Sequence, residues 1–200
     1  GLVEGTIDRL NALAASGADR ATLKNALKAD FASLTIGSGS AAILLCDRKL
    51  SKTGHRLLGG AMLADTAAHE LCAGGVDAAK VTDGRPQMST DSEALLHAGV
   101  NLAERTFPRL LDKLGWSRGE VHKVFTHQVG KAHRRLLLDR LQLSETLDFP
   151  TVEYLGNTGA TALPTAVALG TAAGHVSPGE NVALLGIGSG LSCVMLGMQW

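Results

Sequence analysis

Two polar residues follow strand-like runs at places where α/β proteins bind ligands. His127 comes directly after the strand-like run 121–126, and Asn157 follows the run 151–154 and precedes an alanine-rich segment. In α/β folds, ligands bind at the carboxyl ends of the strands. A neutral imidazole and a carboxamide both donate hydrogen bonds to a developing oxyanion without bringing a charge that must be desolvated. The pair would suit polarisation of a thioester carbonyl and stabilisation of an enolate in carbon–carbon bond formation.

These residues also have structural interpretations. Asn157 fits an Asx turn or a helix N-cap. No spacing of His, Cys, Asp or Glu around His127 and Asn157 matches a metal site, so no metal is predicted. The remaining histidines lie in contexts typical of solvated or structural side chains: His55, His69, His97, His122, His133 and His175.

A glycine-rich turn, Gly186 to Gly190, separates two strand-like runs near the end of the sequence. It lacks the Lys-Ser/Thr that completes a P-loop, and it does not open a helix as a dinucleotide-binding loop does. It is either a tight turn between strands or a wall of backbone N–H groups that face a reacting oxygen. The same Ile-Gly-Ser-Gly also occurs at 36–39, which predicts two equivalent halves that each end in a glycine-kinked strand pair.

The cysteines Cys46, Cys72 and Cys193 are odd in number and widely spaced. They indicate neither a disulfide framework nor a zinc site, and a reduced cytoplasmic protein is expected. Cys46 and Cys193 lie in apolar runs typical of buried, inert thiols. None of the three has an obvious helix N-terminus that would activate it as a nucleophile.

The composition narrows the class of protein. The 200 residues include 45% hydrophobic residues, and 19 basic residues balance 19 acidic ones. This argues against a disordered chain and against an electrostatic nucleic-acid binder. No window approaches the roughly 20 apolar residues that span a bilayer. The length fits one domain or half of a larger two-part fold.

The pattern of apolar residues predicts an α/β layered fold in which strands and helices alternate through the second half. A polar, irregular excursion is expected over 65–92. The predicted helices cover 1–15, 22–30, 91–114, 131–141 and a segment ending near 173. The predicted strands cover two short stretches within 31–46, then 56–63, 121–126, 151–154, 180–185 and 191–198.

Three motifs, in this order, resemble those of the thiolase superfamily, in its β-ketoacyl-acyl-carrier-protein (ACP) synthase III branch. Thr126-His127-Gln128-Val129 is similar to that branch's His-Gln-Ala-Asn motif, and Gly156-Asn157-Thr158-Gly159-Ala160 is similar to its Gly-Asn-Thr-Ser-Ala motif. Gly188-Ser189-Gly190 resembles its C-terminal glycine turn. The ending of the chain and His127-Gln128-Val129 look most like the OleA-type enzymes, which join two fatty acyl-CoA molecules head to head.

The resemblance implies roles for particular residues. His127 and Asn157 would be catalytic, and Gly190, with Gly188 beside it, would offer backbone N–H groups to the acyl oxyanion. Gln128, Val129 and Gly159 would line the substrate channel. The implied substrate is a CoA thioester, with no cofactor.

The resemblance also implies a five-layered α-β-α-β-α sandwich of two similar halves, of which the first is incomplete here. Residues 1–50 would end the first half, 51–87 would connect the halves and wall the channel, and 88–200 would form the second half. The family's nucleophilic cysteine would precede Gly1, and a strand and loop are missing near Ala18–Ala21. Position 130 is Gly where the family usually has Asn.

The leading functional prediction is an acyltransferase that performs a Claisen condensation of two acyl-CoA thioesters. One alternative is a synthase III that condenses acyl-CoA with malonyl-ACP, for which Arg134, Arg135 and Arg140 would form a carrier-protein patch or, more plainly, a solvated helix face. Another is a non-catalytic subunit of a heteromeric enzyme. The expected partners are acyl-CoA or acyl-ACP and a second thiolase-like subunit, in a homodimer or heterodimer.

Overall fold

The structure is a computed structural model that describes residues 2–75 and 87–200. Its helices are α1 (Leu2–Ala15), α2 (Arg20–Leu34), α3 (Ser92–Leu114), α4 (Lys131–Leu141), α5 (Val152–Leu155) and α6 (Ala162–Ala172). Its strands are β1 (Arg56–Ala64), β2 (Cys72–Gly75), β3 (Gln87–Thr90), β4 (Lys123–Thr126), β5 (Asn181–Gly188) and β6 (Ser192–Gln199).

The main sheet has four strands in the order β1-β6-β5-β4. β4 and β5 are parallel, with Thr126 opposite Leu185, whereas β6 is antiparallel to both β5 and β1. A parallel pair needs a long crossover connection, and here that connection contains α4, α5 and α6. The strands β2 and β3 form a separate antiparallel hairpin.

Helices cover both faces of this sheet. Successive side chains of a strand point to opposite faces, and Val124 belongs to the core cluster that contains Phe107 of α3 and Leu137 of α4. The next residue, Phe125, belongs to a second cluster with Ala166 of α6. The layers are therefore helix, sheet and helix, and the predicted α/β class is confirmed.

Several predicted elements have the predicted position. The long helix α3 begins after Asp91, whose side chain accepts a hydrogen bond from the Ala94 N–H, and it ends at Gly115 in the left-handed conformation. Helix α4 has the predicted bounds. Within the excursion, a 3₁₀ turn (Thr66–Leu71) precedes β2. Residues 76–86 of that excursion lie outside the described part of the chain.

Two strand predictions are wrong. Helix α2 continues to Leu34, and the two strands predicted within 31–46 do not form; of that segment only Ile36 makes an isolated bridge, to Asn157. Apolar side chains farther along this segment are exposed, such as Leu44 at 90%. An apolar run becomes a strand only where another strand takes up its backbone hydrogen bonds, and no described strand lies beside 37–46.

The second wrong prediction is the strand at 151–154, which is the single helical turn α5. A short apolar run fits either structure by pattern alone. The two Ile-Gly-Ser-Gly runs also have different settings. The run at 187–190 ends β5, whereas in the run at 36–39 the first residue, Ile36, makes an isolated bridge to Asn157. The predicted equivalence of two glycine-kinked strand pairs is thus wrong for the first run.

The division of the chain into two halves joined by residues 51–87 stays a prediction. Strand β1, which lies in that connecting segment, is an edge strand of the main sheet.

No helix among the described residues combines the length and the apolar character needed to cross a bilayer.

Candidate active site

His127 begins the loop that leaves β4 at the carboxyl edge of the sheet. Its backbone N–H donates to the carbonyl oxygen of Leu185 on β5, at 3.0 Å. Because β4 and β5 are parallel, their carboxyl ends meet at one edge, where strand-end side chains bind ligands in α/β folds. The predicted position of His127 after a strand end is confirmed.

The His127 imidazole is uncharged at neutral pH. Protein encloses most of the ring, and this burial lowers its pKa from the ordinary value of 6.5 because the charged form loses solvation. Within residues 2–75 and 87–200, neither ring nitrogen has a hydrogen-bond partner. The ring is therefore a neutral group with a donor N–H to offer to a ligand.

A second imidazole, His133, lies close to the first. It is in the first turn of α4 and is 7% exposed, which agrees with the structural rather than the solvated of the two roles expected for it. Its Nδ1 is buried and has no hydrogen-bond partner in the described part of the chain. Burial, and to a smaller degree the charge of a protonated His127, lower the pKa of His133 to about 4. Both rings are neutral at pH 7.

We expect acid to destabilise the fold through His133. The pKa is about 6.5 in the unfolded chain and about 4 in the folded one, so between these values the unfolded state binds more protons. Stability then rises with pH: it is fully present above about pH 6.5 and falls as the pH drops toward 4. The loss is on the order of 3 kcal/mol. Urea denaturation between pH 4 and 7 measures it.

The variant His133→Leu should flatten this pH dependence, because it removes the titrating ring from a buried position. The same change at the exposed His97 is the control and should leave the pH dependence as it is. An unchanged slope in His133→Leu would contradict the assignment.

The residues on either side of Ile36 hold the backbone of Asn157. The Asn157 N–H donates to the Thr35 carbonyl at 2.8 Å, and the Gly37 N–H donates to the Asn157 carbonyl at 2.9 Å. A Cβ on Gly37 would collide with the Leu155 carbonyl. Gly156 has a φ of +69°, and a Cβ there would lie 2.8 Å from the Thr35 oxygen. Only glycine at both positions allows this close approach of two backbones.

The side chain of Asn157 is oriented by its own backbone. Its Oδ1 accepts a hydrogen bond from the Gly159 N–H at 2.9 Å, which confirms the Asx turn considered from the sequence. The Nδ2 amino group has no acceptor among the residues that the structure describes. The turn thus leaves the amino group available to donate to a ligand, and the structural and catalytic interpretations are compatible.

Gln128, predicted to line a substrate channel, is 2% exposed. Its Nε2 donates to the Thr126 carbonyl oxygen and hydroxyl at 3.0 and 3.2 Å. Its Oε1 accepts from the N–H groups of Thr151 and Val152 at 3.1 and 3.3 Å. The side chain bridges the end of β4 to the start of α5. The other two predicted channel residues, Val129 and Gly159, are exposed, and a lining role stays a prediction for all three.

A buried ion pair supports the end of β4. The Asp148 carboxylate accepts from the Thr126 N–H at 3.0 Å and from the Thr126 hydroxyl at 3.1 Å. The Arg134 Nε donates to the same carboxylate at 2.6 Å, and its Nη1 donates to Glu145 at 2.8 Å. Sequence reasoning missed this role of Asp148. A lone acidic residue in the mostly apolar run 147–150 was the available signal.

One arginine of the predicted carrier-protein patch is engaged within the chain. Arg134 is held by the buried Asp148, and Arg140 pairs with Glu104 on α3 at 3.1 Å. Arg135 is exposed. Arg134 is therefore not available to a partner, whereas Arg135 and Arg140 lie on the exposed face of α4.

The glycine turn lies at the same sheet edge as His127. β5 continues past Leu185, the partner of Thr126, and ends at Gly188, which pairs with Ser192. Gly190 is exposed and has a φ of +119°, a conformation that L side chains rarely adopt. Among described residues, no group accepts a hydrogen bond from its N–H. The predicted backbone donor is thus open to a ligand.

Comparison with known proteins agrees with the motifs. Residues 111–200 match the family model described as 3-oxoacyl-[acyl-carrier-protein (ACP)] synthase III C terminal. The chain is 40% identical over 172 residues to the acyl-CoA:acyl-CoA alkyltransferase of Shewanella oneidensis, an alignment that covers 84% of this chain and 49% of that protein.

Solved structures give the same fold. The structure of Xanthomonas campestris OleA with bound lauric acid and lauroyl-CoA has a TM-score of 0.79 and 29% identity, over 88% of this chain and 50% of that one. A 3-oxoacyl-(acyl carrier protein) synthase III from Xanthomonas oryzae pv. oryzae has a TM-score of 0.72 and 28% identity, over 86% of this chain and 48% of that one. The chain spans about half the length of the relatives it matches.

The predicted thiolase-like fold is confirmed by these structural relatives. The motifs carrying the resemblance, His127-Gln128-Val129 and the segment 156–160, lie within the residues matched by the family model. Residues 111–200 are thus similar to the C-terminal region of synthase III, and the chain is similar over 84% of its length to an acyl-CoA:acyl-CoA alkyltransferase.

Proposed function

We propose that the protein carrying this chain condenses two fatty acyl-CoA thioesters into a β-keto acyl product. The observation that carries the proposal is the orientation of Asn157: its Oδ1 is occupied by Gly159, and its Nδ2 is left to donate. With the neutral His127 it supplies two uncharged donors, the combination that stabilises an enolate oxygen without a desolvation penalty.

The proposed reaction has two steps, acyl transfer and condensation, and the residues of this chain act in the condensation step. The donor acyl group first moves from the CoA sulfur to a cysteine sulfur, and CoA leaves as its thiol. The acceptor thioester carbonyl then binds His127 and Asn157 and loses an α-proton to give an enolate. The enolate carbon attacks the acyl-cysteine carbonyl, whose oxyanion the Gly190 N–H stabilises. The carbon–sulfur bond breaks, and the cysteine thiolate is restored.

The nucleophile is expected outside these 200 residues. Burial raises the pKa of the Cys193 thiol, which disfavours the thiolate that acyl transfer needs. Cys72 accepts a hydrogen bond from Thr90 in the hairpin formed by β2 and β3. Cys46 is exposed in the segment after α2, so the burial predicted for it from the sequence is wrong. We also assign the α-proton acceptor to a group outside the described residues.

An acyl-CoA acceptor is favoured over malonyl-ACP. A carrier protein would dock through exposed basic side chains, and Arg134 of the predicted patch is instead held by the buried Asp148. The relatives in sequence include an alkyltransferase named for two acyl-CoA substrates. We further propose that the protein is cytoplasmic and that it pairs with a second thiolase-like subunit. It would use no cofactor beyond its CoA substrates.

The test supplies the intact protein with one acyl-CoA and then with either a second acyl-CoA or malonyl-ACP. We expect a mass shift equal to one acyl group, followed by a β-keto product with acyl-CoA as the acceptor. Product only with malonyl-ACP would overturn the proposed acceptor and favour the synthase III alternative. Absence of both acylation and product would overturn the proposal and favour a non-catalytic subunit.

A further inference from the structure

We propose that Gln128 is a positioning residue for condensation: its buried amide sets where the His127 loop lies relative to the segment that carries Asn157. The inference rests on the proposed roles of His127 and Asn157. It gives Gln128 a function different from the channel-lining one that the sequence motif implied.

The amide of Gln128 uses both of its ends. On one side Nε2 binds the carbonyl and hydroxyl of Thr126, the residue immediately before His127. On the other side Oε1 accepts hydrogen bonds from the N–H groups of Thr151 and Val152. These are N–H groups at the start of α5, where a helix leaves its first donors without partners inside the helix.

The bridge reaches Asn157 through one helical turn. The Gly156 N–H donates back to the Val152 carbonyl at 3.0 Å, so the clamped end of α5 and the residue before Asn157 are directly bonded. Asn157 is then held from the far side by the carbonyl of Thr35. A shift of Gln128 would be passed along this short, hydrogen-bonded path to the Asn157 side chain.

The chemistry of this position selects glutamine. The Gln128 side chain is only 2% exposed. If its role were only to fill space, leucine or methionine would fill the position equally well. An amide offers an acceptor and donors in one flat group. Asparagine has the same group but is shorter by one methylene, about 1.5 Å, and cannot span both sides.

The test compares Gln128→Asn and Gln128→Leu with the control Gln142→Asn in the intact protein. Gln142 caps α4 at a φ of 55°, a conformation that asparagine adopts readily, so the same chemical change is harmless there. We expect both Gln128 variants to lower the kcat of condensation about 10²-fold, the usual result of a 1 Å misplacement. The rate of acylation and the KM for the donor should stay near those of the parent.

Amide hydrogen exchange gives a readout independent of activity. The N–H groups of Thr151 and Val152 should exchange faster in both Gln128 variants, and Gln142→Asn should leave them protected. Unchanged exchange would show that the bridge is absent and would overturn the inference. Faster exchange with undiminished condensation would equally overturn it, provided that His127→Ala loses condensation.

If His127→Ala also keeps full condensation, the proposed function of that histidine fails. The exchange rates of Thr151 and Val152 still show whether Gln128 forms the bridge. Equal loss of acylation and condensation in both Gln128 variants would mean that the glutamine only supports the fold, and this too would overturn a positioning role.

Discussion

Replacing His127 or Asn157 by alanine is expected to lower condensation about 10²–10³-fold, the usual cost of removing one oxyanion donor. Acylation by the donor acyl-CoA should continue near the parent rate, because neither side chain takes part in that transfer. The measurement separates the two steps by following acyl-protein by intact mass and β-keto product by chromatography.

A substitution that keeps the local turn sharpens this test. Asn157→Asp retains an Oδ1 that can accept the Gly159 N–H and replaces the donating Nδ2 by an oxygen. Because that oxygen would repel an enolate, we expect a loss at least as large as with alanine. The matched controls are His97→Ala and Asn101→Ala, which alter exposed side chains of α3.

Two results would contradict these assignments. Condensation that survives in Asn157→Asp would mean that the amino group does not bind the developing oxyanion. Loss of acylation with intact condensation in either alanine variant would move the residue to the other half of the reaction.

Asp148→Ala is expected to cost about 3–5 kcal/mol of the free energy of unfolding, the usual effect of breaking a buried ion pair from one side. The side chain is fully buried, and its removal leaves the Nε–H of Arg134 and the N–H of Thr126 without their acceptor. Urea denaturation at pH 7 measures the change. Since Thr126 immediately precedes His127, condensation should weaken as well at temperatures where the variant remains folded.

The exposed pair of Glu104 and Arg140 offers a matched control. Both side chains are about half exposed, and solvent-exposed ion pairs contribute under about 1 kcal/mol. Glu104→Ala should therefore change the free energy of unfolding by no more than that amount. An equal effect of the two substitutions would show that the Asp148 carboxylate is not a buried anchor of β4.

Local patterns in the sequence were sufficient to predict the position of the helices and strands that bury one face. α3 has its cap residue, its apolar stripe and its terminating glycine within one continuous segment, and its bounds were predicted closely. The strand before His127 and the turn after β5 also have strong local signals. A strand end followed by a polar residue is a local feature, and so the position of His127 was predictable.

The run at 36–39 shows the limit of such patterns. Its apolar and glycine residues predicted a strand pair, whereas the structure uses Gly37 to bring a backbone against Leu155 and Gly156. A glycine fits a tight turn and a close contact equally well, and the choice depends on which distant segment approaches it. The helical turn α5 is a similar case, because its first N–H groups are satisfied by the side chain of Gln128.

The sequence by itself determined the chemical types in the site, an imidazole, a carboxamide and a glycine turn, together with the strand end that precedes His127. Tertiary structure decided how they are held. The bridge from Gln128 to α5, the Asp148 carboxylate under Thr126 and the burial that keeps His127 and His133 uncharged all join residues from separate segments. Desolvation and hydrogen bonding depend on which groups surround a residue in space, and no local spacing in a single chain encodes those neighbours.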